Sequence, residues 1–72
     1  MKRQPTLTTA ANLNERHMGK LVRIGRVEGE LVGLDTSAHR VILHVLIGTN
    51  RLPSLFPLLP GAEVEHWRKE AS

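Results

Sequence analysis

Cysteine and tyrosine are absent from this 72-residue chain, and the aromatic side chains come down to Phe56 and Trp67. Without cysteine no disulfide can staple the fold, and a zinc site would rest on histidine and carboxylates alone. With so few aromatics, a stacking platform for single-stranded nucleic acid is nearly excluded. No apolar run approaches the ~20 residues that span a bilayer, and no signal-peptide pattern follows Met1. These absences set the expectation of a soluble, cytoplasmic protein without a membrane partner. The length allows one domain with a thin core, because folding at this size removes only about 60% of the unfolded chain's surface. Such a domain gains from oligomerisation or a partner.

Charge is present and unevenly spread. The net charge is +3, yet residues 1–26 hold Lys2, Arg3, Arg16, Lys20, Arg23 and Arg26 against Glu15 alone. Residues 27–72 hold Arg40, Arg51, Arg68 and Lys69 against Glu28, Glu30, Asp35, Glu63, Glu65 and Glu70. A basic end on a near-neutral body suits phosphate or an acidic partner, although moderate charge also serves plain solubility.

The chain is organised around residues 29–47. Two apolar runs flank Asp35-Thr36-Ser37-Ala38, whose short polar side chains favour a turn. Val41, Leu43, Val45 and Ile47 recur at period two and predict a strand with one buried face. Ile42, His44 and Leu46 lie on its other face, which is therefore not cleanly polar and is expected to meet a second surface.

Elsewhere, Asn12 with Glu15 resembles a capping box, and Gly19 is a natural stop, so a short helix is predicted from about Leu13 to Met18. A first strand is expected over Lys20–Val27 with a bulge or bend at Gly25. Glu28-Gly29 would connect it to a second strand, Leu31–Leu34, and His39–Ile47 would be the third. Residues 48–61 contain Pro53, Pro57 and Pro60 and predict an irregular connection with a short edge strand near Leu55-Phe56. Ala62–Trp67 alternates as a last, half-buried strand. Residues 1–11 read as a flexible basic tail, 12–67 as the domain and 68–72 as a second tail. The expected fold is all-β: a small five-stranded SH3-like barrel with a short N-terminal helix.

Gly29-x-Leu31-x-Gly33-Leu34-Asp35 followed by His39-Arg40-Val41-Ile42-Leu43 resembles the first motif of Sm-like (Sm/Lsm) proteins. Leu59-Pro60-Gly61-Ala62-Glu63-Val64 is similar to the second. The overall pattern is also similar to short actinobacterial and phage proteins. The Sm-like resemblance implies a ring of subunits, joined by pairing of the last and fourth strands, that binds single-stranded RNA. Asp35 would then orient the base-binding turn, His39 would stand where the family's base-contacting asparagine stands, and Gly61 would shape the opposing loop. Between Asp35 and His39 the chain carries Thr36, Ser37 and Ala38 where the family usually offers a stacking side chain.

The nucleic-acid candidates are thus Arg16, Lys20, Arg23 and Arg26, with Asp35, His39, Arg40 and Gly61 from the motifs. The candidates for a protein interface are Ile42, Leu46, Leu55, Phe56 and Trp67. His17, His39, His44 and His66 show no ligand spacing, so no metal is expected. Asp35 beside His39 reads as a capped turn, Glu28 and Glu30 read as solvated carboxylates, and no Gly-rich phosphate loop is present. No catalytic residue or cofactor is expected. The functional expectation is a non-enzymatic module binding nucleic acid, RNA foremost, as an oligomer. The alternative is a protein-interaction module, such as a phage factor acting on a host protein, through the 52–59 apolar loop and the barrel edge.

Overall fold

A computed structural model describes residues 5–68. Six strands run β1 Thr6–Thr9, β2 Leu21–Ile24, β3 Val27–Thr36, β4 Val41–Leu46, β5 Ser54–Leu58 and β6 Glu63–Trp67. All pairings are antiparallel, in the linear order β1-β6-β2-β3-β4-β5.

The hairpins follow from turn chemistry. Ile24 pairs with Val27, leaving Gly25-Arg26 as a two-residue loop with Gly25 at φ +61°. A positive φ confined to the first loop position is the type II′ pattern, whose twist matches the flanking strands. Of the bulge or bend expected at Gly25, the chain makes the bend, as a full hairpin turn, and Glu28-Gly29, expected as the connection, lies inside β3. At the next reversal Thr36 pairs with Val41. The Ser37 N–H and Oγ–H both donate to the Arg40 carbonyl, at 2.8 and 3.0 Å, and close the 37–40 loop.

β3 contains the irregularity that sets its faces. The register against β4 shifts between Leu31 and Gly33, so Val32 is an extra residue. A bulge of this kind reverses the alternation. It lets Leu31, opposite Val45, and Leu34, opposite Leu43, share one face although they are three residues apart. Gly29 lies where β3 passes close to β4: a Cβ there would meet the Leu46 carbonyl oxygen and the Val45 side chain.

One face of the sheet carries the core: Val22, Leu31, Val41, Leu43, Val45 and Val64 are buried, with Ala10 and Leu13 packed into the same cluster. Ile24, Leu34, Ile47, Phe56 and Leu58 lie against it. The expected quartet Val41, Leu43, Val45 and Ile47 does point together.

Three expectations are corrected. The sheet is open, with β1 and β5 as its two edges and no pairing between them, so it is not an SH3-like or Sm-like barrel. It has six strands rather than five, because Thr6–Thr9, inside the stretch read as a tail, pairs with β6. No N-terminal helix forms. Instead two single 3-10 turns, Ala10–Asn12 and Glu15–His17, are separated by Leu13 in an extended conformation (φ −70°, ψ 141°). Asn14, not Asn12, caps the second turn, its side chain accepting from the Arg16 N–H. The strand pairing implied between subunits is not available either, since β6 is flanked on one side by β1 and on the other by β2. Residues 1–4 and 69–72 of the two expected tails lie outside the described residues.

Candidate interaction surface

With the core on one side, the chemistry of the chain is sorted by which residues alternate onto the other. On β4 these are Ile42, His44 and Leu46, and on β5 they are Leu55, opposite His44, and Pro57, opposite Ile42. Leu55 is 58% exposed, and Leu59, just past the strand, is 74% exposed. Val32, extruded by the bulge, is also exposed. An antiparallel sheet that meets water on one face normally carries polar side chains there. This half carries aliphatic ones around a single polar pair, His44 Nε2 with Asp35 Oδ2 at 3.2 Å.

The other half of the same face is ionic. Arg23 lies between Glu65, at 2.8 Å, and Glu28, at 3.7 Å. Trp67 is half-buried beside them, and with Pro5 these side chains line a shallow depression of about 190 Å³. The indole Nε1 of Trp67 is buried without a hydrogen-bond partner. A larger groove of about 360 Å³ runs between the halves, bounded by Leu21, Glu28, Glu30, Leu46 and the 48–50 turn.

The expected basic track does not share one face. Lys20 and Val22 alternate with Leu21 and Arg23, so Lys20 lies on the core side of the sheet's end and Arg23 on the outer face. Arg16 projects from the second 3-10 turn, and Arg26 from the β2–β3 turn at the far end of β2. His39 and Arg40 are exposed in the 37–40 loop, and Gly61 is exposed in the turn between β5 and β6. Asp35 bonds to His44 rather than capping a turn at His39. Among the protein-interface candidates, Ile42, Leu46 and Leu55 share the outer face, Trp67 lies across that face beside β2, and Phe56 turns inward onto the core.

A histidine pair escaped the sequence reading. His66 alternates with Glu65 onto the core side of β6 and is the one buried polar side chain among the described residues. Its ring packs edge-to-face on His17, centroids 4.8 Å apart at 79°, and its Nε2 lies 2.7 Å from Thr8 Oγ1. Burial first, then the neighbouring His17 and Lys20, lowers the His66 pKa below its ordinary 6.5. The period-two pattern that put Val64 inside also puts His66 inside, and that was the legible signal.

No group of three or more His, Asp or Glu side chains among the described residues is placed to hold a metal ion. No helix among them is long and apolar enough to cross a membrane. Compared with family models, curated proteins and solved structures, the chain matches none. With the sheet open as well, the Sm-like resemblance is overturned, and the likeness to actinobacterial and phage proteins has no support from these comparisons.

Proposed function

We propose that this chain is a non-enzymatic protein-interaction module, working through the aliphatic outer face of β4 and β5. The observation that carries the reading is Ile42, Leu55 and Pro57 together on the outer face, with exposed Leu59 just past the strand, opposite a core that already occupies the other face of the same strands. Exposed contiguous apolar surface on a small domain marks contact sites, since water gains when it is covered. The flanking Asp35–His44 pair supplies a polar group at the middle of the patch, as contact surfaces use for orientation. Pro57 has no N–H to donate, so β5 favours side-chain docking on its face over addition of a further strand at its edge.

Nucleic-acid binding is the second reading. Arg16, Lys20, Arg26 and Arg40 support it, having no ion-pair partner among the described residues. Arg23 supports it less, since two carboxylates already surround its guanidinium.

A photo-crosslinking amino acid at position 55, with one at position 26 as the control, separates the two. In nuclease-treated lysate of the source cells, position 55 is expected to give a discrete protein adduct that Leu59→Asp abolishes. A dimer-mass adduct would identify the partner as a second copy. Crosslinking only from position 26, lost on nuclease treatment, would replace this reading with the second.

A further inference from the structure

Three segments remote in sequence meet at His66: β1 through Thr8, the second 3-10 turn through His17, and β2 through Val22 and the adjoining Lys20. We infer that the His17–His66 pair is an acid-sensitive latch, holding β1 and the 3-10 segment against β6 near neutral pH and releasing them when the buried His66 ring takes up a proton.

Hydrogen-bond chemistry makes His17 one half of the device. Its Nδ1 accepts the Asn14 backbone N–H at 3.0 Å, closing the capping box, so in the neutral ring the proton sits on Nε2. That bond fixes the ring on the 3-10 turn, where it makes its edge-to-face contact with His66.

Surroundings make His66 the other half. The groups facing it are His17 from the 3-10 turn, Lys20 from the start of β2, and the uncharged Thr8 hydroxyl from β1. No carboxylate among the described residues faces it to offset an imidazolium. Glu65, its neighbour in the chain, points to the opposite side of the sheet and is held by Arg23, and Glu15 beside His17 is exposed. Charge on His66 would therefore be both buried and surrounded by positive or ionisable nitrogen. The elements it would free are held by a short ladder, two backbone bonds and the burial of Ala10 and Leu13. β1 is a four-residue edge strand, and the 3-10 segment is tied to the β5–β6 connection by Ala10 N–H to Ala62 O at 2.7 Å and Ala11 N–H to Pro60 O at 3.0 Å.

Amide hydrogen exchange read by NMR, expressed as protection factors, tests this at about pH 7.5 and about pH 5.5, spanning the ordinary histidine range. Protection at Ala10 and Ala11 is expected to fall severalfold between the two, the sense set by a His66 pKa lower folded than unfolded. Protection at Leu34 and Leu43, in the β3–β4 ladder, is expected to stay well above theirs at both pH values. In His17→Gln, glutamine can still accept the Asn14 N–H but takes the second imidazole away from His66, so the fall should shrink. In His66→Phe it should vanish. Protection at Ala10 and Ala11 no lower than at Leu34 and Leu43, no loss in acid, or an undiminished fall in His17→Gln would each overturn the latch. The glutamine variant preserves the cap, so the test stands even if His66→Phe does not fold.

Discussion

At the residue scale, the two glycines Gly29 and Gly61 separate a packing requirement from a mere turn. A Cβ at Gly29 has nowhere to go, because backbone carbonyl oxygen and a core valine occupy the space, whereas at Gly61 nothing lies within 4 Å and φ is not positive. Gly29→Ala is expected to destabilise by about 1–3 kcal/mol, the usual cost of overpacking. Gly61→Ala should stay within about 0.5 kcal/mol, as exposed substitutions do. Urea denaturation of both variants checks the contrast, and equal losses would refute it. The sequence marked both glycines as special but could not rank them, since close approach at Gly29 depends on β4, whose register is not a local property. Asp35 illustrates the same limit: proximity in the chain suggested His39, while the ladder delivers His44. Arg23 is a third case. Its pairs with Glu65 and Glu28 are solvent-exposed, so Arg23→Ala should cost no more than about 1 kcal/mol, and less as salt is raised.

At the element scale, β4 is the strand on which most of the core converges, and its period-two pattern was plain from the start. Leu43→Ala leaves a cavity at a fully buried position and is expected to cost about 2–5 kcal/mol. In a domain this small, that is most of its stability. Circular dichroism melts should show the variant largely unfolded at 37 °C or near it, and a wild-type melt would remove Leu43 from the core. β3 was harder to read. Its bulge at Val32 breaks the alternation, so a ten-residue strand looked like a four-residue one preceded by a turn. The N-terminal segment misled for another reason. Ala, Leu and Glu carry helical propensity, but a single turn is too short to sustain a helix, and hydrogen bonds to the β5–β6 connection hold the chain in 3-10 turns and extended links instead. β5 was legible as an edge because proline can be tolerated only there.

At the scale of the whole molecule, acid should weaken the fold by way of His66. Its pKa is lower folded than unfolded, so between the two values the unfolded chain binds more protons and the native state loses ground. The contribution is complete above the ordinary 6.5 and is lost as pH falls below it through the depressed value. Urea midpoints measured down that range should decline in the wild type and decline less in His66→Phe. A flat wild-type profile would contradict this. What the sequence could not show at this scale is the position of β6. Strand β6 is synthesised latest of the six and lies between β1 and β2, two of the earliest. Until it emerges from the ribosome, β1 has no neighbour to bond, and β2 has one side open. The N-terminal part of the sheet must therefore wait, unfinished, for the translation of residues 63–67. A nascent chain arrested before Glu63 would carry two unfilled hydrogen-bonding edges side by side, a target for chaperones and proteases that the finished protein no longer presents.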